Sequence, residues 1–158
     1  MKKEDFTAEE WQTLFNAPSM AGLAVTAASP SGPIGVMKEM FSVGMSLADL
    51  VKKKSDNTLI QALVEDVKKR GTKPKKPENV KNMEEVKTYA LQQLQTAADI
   101  LDKKNAGDEG EEFKSWLIDI SQRTAEAAKE GGFLGFGGER VSSEEKAALN
   151  EISAILKG

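Results

Sequence analysis

One local signal recurs along this chain and restricts its fold more than any other. A Ser, Thr, Asn or Asp is followed three residues later by Glu at Thr7 and Glu10, Asn82 and Glu85, Asp108 and Glu111, and Ser142 and Glu145. In such a capping box the first side chain accepts an orphan backbone N–H of a helix start, and the Glu reaches back to the cap residue's own N–H. Four helix starts are therefore written into the sequence. At the first, Phe6 and Trp11 also occupy the positions of a hydrophobic staple.

The apolar spacing behind these starts has the helical period. Val86, Ala90, Leu94, Ala97, Ala98 and Leu101 share one face, as do Phe113, Trp116, Leu117, Ile120, Thr124, Ala127 and Ala128, and as do Leu149, Ile152, Ile155 and Leu156. Ile60, Leu63, Val64 and Val67 make a further amphipathic stretch. It ends in Lys68, Lys69 and Arg70, which suit the negative end of a helix dipole, and then Gly71, a C-cap candidate. Pro18 is expected to break or kink the opening helix, leaving a second short one in the small-residue stretch Ala17 to Ala28. Ser29 to Pro33 reads as a turn. From Ile34 to Val51 apolar residues fall on several faces, which predicts the central, most buried helix. No alternating Val/Ile/Thr run marks a strand. The expectation is an all-α bundle of six or seven helices in a single domain over residues 1–158, with a Lys/Pro-rich connection at about 71–81.

Composition narrows the chemistry. With no Cys and no His, the 158 residues hold no thiolate or imidazole metal ligand, no Ser-His-Asp triad, no Cys nucleophile and no disulfide. The chain is read as non-enzymatic and free of cofactors. No apolar run approaches the ~18 residues that would suggest a membrane span, and the expected setting is soluble and cytoplasmic. The formal net charge of −3 does not favour nucleic acid as a whole-chain partner.

Charge is uneven all the same. Residues 52–81 hold ten Lys and Arg against four Asp and Glu, a local +6, whereas the remaining twelve basic and twenty-one acidic residues give −9. Lys68, Lys69, Arg70, Lys73, Lys75, Lys76 and Lys81 are thus candidates to meet nucleic-acid phosphates, an anionic membrane surface or an acidic partner. The plainer account is a solvated helix end and loop, since no aromatic side chain lies among these charges to stack a base.

The strongest binding candidate is Glu130-Gly131-Gly132-Phe133-Leu134-Gly135-Phe136-Gly137-Gly138. Five glycines surround Phe133, Leu134 and Phe136, an unusual place for three large apolar side chains. Either they tuck into the core or they anchor a protein partner. The spacing matches neither the dinucleotide fingerprint nor the P-loop. The acidic pairs Glu9-Glu10, Glu84-Glu85, Glu111-Glu112 and Glu144-Glu145 invite a metal hypothesis, but each falls in the first turn of an expected helix, where capping and the dipole account for it. Met37, Met40 and Met45 fit either a binding groove or core filling, and core is the simpler reading.

At Val141-Ser142-Ser143-Glu144-Glu145, just after the glycine-rich stretch, the chain resembles the TerB-like tellurite-resistance proteins, an all-helical stress-response family. Their hallmark is an Ala-Asp-Gly turn, then an aliphatic residue, then a Glu four positions on. Val141 and Glu145 keep that spacing, while Gly138 and Glu139 stand where Asp and Gly are expected. Ala27-Ala28-Ser29-Pro30-Ser31-Gly32 followed by Ile34 and Glu39 is a second echo, with Ser29 in place of the Asp. The resemblance implies an all-helical fold and a divalent-cation site drawing on Glu39 and Glu145.

Overall fold

The computed structural model of this chain describes residues 1–28, 56–70, 80–130 and 141–158, the side chains at 67–70 and 127–130 excepted. Within them a short 3-10 turn, Lys3–Asp5, precedes five α-helices: α1 Ala8–Ala28, α2 Thr58–Arg70, α3 Met83–Lys103, α4 Gly107–Glu130 and α5 Ser143–Lys157. No strand occurs among the described residues. Among the described residues the all-helical expectation holds, with five helices placed where six or seven were anticipated for the whole chain. The stretch 34–51, where a central helix was expected, lies outside the described residues.

Three of the four capping signals act as the sequence predicts. Thr7 Oγ1 accepts the Glu10 N–H at 3.2 Å while Glu10 Oε2 accepts the Thr7 N–H at 2.8 Å, and the Phe6 and Trp11 rings lie 5.8 Å apart as the staple requires. Asn82 Oδ1 caps α3 by accepting the Glu85 N–H at 2.9 Å, and Ser142 and Glu145 form a reciprocal box on α5. The fourth is corrected. Helix α4 opens at Gly107, so Asp108 lies within its first turn rather than at the cap.

The preceding turn decides that start. Asn105 takes a left-handed conformation (φ 51°), the Ala106 N–H reaches the Leu101 carbonyl at 3.0 Å and the Asn105 N–H reaches that of Asp102 at 3.0 Å. This Schellman arrangement closes α3 and delivers the chain into α4 within three residues. The turn is tight. A methyl group on Gly110 would stand 2.7 Å from the Ala106 Cβ, closer than two such atoms can approach.

Pro18 does not break the opening helix or leave a second short one, because α1 runs through it to Ala28. Pro18 has no N–H to give the Leu14 carbonyl, which costs a helix interior about 3 kcal/mol. Every residue from Leu14 to Ala27 is buried, however, and large apolar side chains each contribute about 1.5–3 kcal/mol on burial. Tertiary packing outweighs the local penalty. Helix α1 thereby becomes the most buried of the described helices, packed on α3, α4 and α5. The chain past the end of α3 returns to its first turn, where the Lys104 ammonium meets Glu10 and the Asp5 carbonyl, both at 3.0 Å. Helix α4 runs along it, bringing Ser121 to Ala21 and Thr124 to Gly22. Helix α2 packs on α4 and on the Lys3–Asp5 turn.

The periodic faces are the core. Val86, Ala90, Leu94, Ala97, Ala98 and Leu101 are all buried, as are Phe113, Trp116, Leu117, Ile120 and Thr124, and as are Ile60, Leu63 and Val64; Ile152 and Leu156 are buried, with Leu149 and Ile155 partly so. Among the described residues two buried polar atoms have no hydrogen-bond partner, Ser19 Oγ and Trp116 Nε1. An unsatisfied buried hydroxyl costs about 1–3 kcal/mol. Ser19→Ala is therefore expected to raise the unfolding free energy by about 1 kcal/mol, helped by the better helix propensity of Ala. A urea titration checks this, and a loss of stability would show that the hydroxyl has a role in the fold.

The caps also set an acid limit. The Thr7 backbone N–H, and secondarily Lys104, hold the Glu10 carboxyl below its ordinary value of 4.5; the Met1 amine and the Thr58 hydroxyl do the same for Glu109. A lowered folded-state pKa means stability that is present above 4.5 and lost as pH falls through the folded value. Unfolding free energy is expected to decline steadily below pH 4.5. Combining Glu10→Gln with Glu109→Gln should flatten that decline, and an unchanged slope would assign the acid sensitivity elsewhere.

Candidate functional site

Three places among the described residues bring polar chemistry together. The first joins α2 to α4. Asn57, the cap of α2, is only 3% exposed; its Oδ1 accepts the Ile60 N–H at 3.1 Å and its Nδ2 donates to the Glu109 carbonyl at 2.8 Å and to Glu112 Oε2 at 3.0 Å. Beside it the Thr58 hydroxyl donates to Glu109 Oε1 at 2.5 Å, and the Met1 amine pairs with Glu109 Oε2. One buried amide thus both starts a helix and fastens it to another. No capping box announces Asn57, because the residue three places on is Ile60.

The second bridges α3 and α4. Lys114, its side chain 9% exposed, donates to Asp102 Oδ1 at 2.5 Å and to Glu111 Oε1 at 3.1 Å, while those two carboxylate side chains are 64% and 68% exposed. The aliphatic stem is buried and the charge is met at the surface. Burial of the group works against its charge, but the hydrogen bonds to Asp102 and Glu111 prevail and hold its pKa above the ordinary 10.5. Asp102 and Glu111 also line, with Leu101, Asn105, Ala106, Gly107 and Gly110, a solvent-open depression of about 240 Å³. Lys114 thus ties α4 to α3 through its ion pair with Asp102, with Glu111 of its own helix as a second partner.

The third lies around Trp11. Its Nε1 donates to Asp66 Oδ2 at 3.1 Å, Lys3 donates to the same oxygen at 2.8 Å, and the Lys3 ammonium stands 5.6 Å from the Trp11 ring centre. Charge and ring together tie the chain start to α2.

The residues singled out from the sequence are distributed differently. Phe133, Leu134 and Phe136 lie outside the described residues, and so do Glu39, Lys73, Lys75 and Lys76. Lys68, Lys69 and Arg70 form the last turn of α2. Glu145 is 7% exposed, and its Oε2 accepts both the Ser142 N–H at 2.9 Å and the Ser142 hydroxyl at 3.0 Å. That carboxylate is engaged in capping α5. Among the described residues no three Asp or Glu side chains gather as a metal site would require, and no helix is long and apolar enough to cross a membrane.

The helices on either side of the glycine-rich segment are placed. Helix α4 runs to Glu130, α5 opens at Ser143, and the two helices pack on each other. Neighbouring helices in bundles are ordinarily joined by roughly 2–8 residues, and residues 131–142 exceed that. Comparison of the chain with protein-family models, with curated proteins and with solved structures returned no match.

Proposed function

We propose that this chain is a non-enzymatic protein that binds a protein partner through Phe133, Leu134 and Phe136. The observation that supports this reading is the length of the α4–α5 connection. Two helices that already touch need only a short link, whereas 131–142 adds surplus chain, three large apolar side chains and five glycines whose ordering is entropically expensive. Aromatic side chains such as Phe133 and Phe136 are enriched at protein interfaces.

The test compares wild type with a variant carrying Phe133→Ser, Leu134→Ser and Phe136→Ser, after circular dichroism and melting have been shown to agree. Affinity capture from lysate should retain a partner on wild type alone. Titration of that partner should show affinity reduced about 100-fold or more, since anchors contribute about 2 kcal/mol or more each. If the variant fails to fold, the three side chains belong to the core and the reading is lost.

A second reading has its own support. Because α2 continues to Arg70, Lys68, Lys69 and Arg70 share one helical turn, and Lys73, Lys75 and Lys76 follow within six residues in the sequence. Such a cluster suits an anionic surface, nucleic acid or membrane. Retention that survives the triple substitution but falls steeply from low to moderate salt would favour it. The TerB-like cation reading, through Glu39 and Glu145, requires Glu145 to share or leave its capping bonds, and heat released on adding Ca²⁺, Mg²⁺ or Mn²⁺ would favour that reading instead.

A further inference from the structure

We draw no further inference here: the strongest candidate, the solvent-open depression at the α3–α4 turn lined by Asp102, Asn105, Gly110 and Glu111, has both carboxylates already joined to Lys114 and no unpartnered buried polar group along its walls, and nothing in the structure shows what covers it.

Discussion

Replacing Asn57 by Ala is expected to lower the unfolding free energy by about 3 kcal/mol, combining a lost helix cap of about 1 kcal/mol with the lost hydrogen bonds of a buried amide. The side chain has a partner on both of its polar atoms. Its Oδ1 takes the Ile60 N–H that would otherwise be an orphan at the start of α2, and its Nδ2 serves the Glu109 carbonyl and the Glu112 carboxylate on α4. Truncation would leave the buried Ile60 N–H without its cap and release the tie between the two helices. Asp at this position separates the two roles. It keeps an acceptor for the Ile60 N–H but replaces the donor with an oxygen facing the Glu109 carbonyl and Glu112. Asn57→Asp should therefore remain destabilised at neutral pH, with its deficit relative to wild type at the same pH narrowing in acid as the repulsion between the new carboxylate and Glu112 is relieved. Urea titrations of both variants at two pH values would decide the matter. A loss below about 1 kcal/mol for Asn57→Ala would mean that capping alone matters and the tie to α4 contributes little.

The second large effect is expected where α1 crosses α4. At Gly22 a methyl group would meet Thr124 Oγ1 at 3.4 Å and Thr124 Cγ2 at 3.9 Å, the near edge of ordinary contact. Gly22→Ala should be neutral or stabilising by up to about 1 kcal/mol, because Ala is the better helix former. Gly22→Leu should instead cost about 3 kcal/mol or more, as overpacked core sites do when their neighbours cannot move. They have little room to do so. Ala21, Ala24 and Val25 are fully buried, and the Ser121 hydroxyl approaches the Ala21 carbonyl at 3.4 Å while also donating to Leu117 at 2.9 Å. Opposite signs for the two substitutions are the result to look for in thermal melts. A tolerated Leu would show that the crossing is looser than the observed packing requires.

The residues that ordering by sequence handled well share one property: their partners are three or four positions away. Thr7 with Glu10 and Ser142 with Glu145 act as reciprocal boxes, Asn82 caps α3, and the apolar faces of α3 and α4 are buried wherever their side chains are described. Such interactions need no knowledge of the rest of the chain. Lys114 shows the opposite case. Its position beside the buried stripe of α4 gives no hint that its ammonium will be met by Asp102 from the preceding helix.

What the sequence determined by itself is the helical class, three of the four marked starts and the buried face of each amphipathic helix, since capping and the 3.6-residue period are local physics. The tertiary structure decided the rest. It carried α1 through Pro18, because burial on all sides outweighs one lost hydrogen bond, and it made Asn57 a joint between α2 and α4. Those outcomes depend on groups far apart in the chain, as Asn57 and Glu109 are, and no local pattern encodes which distant surfaces will meet.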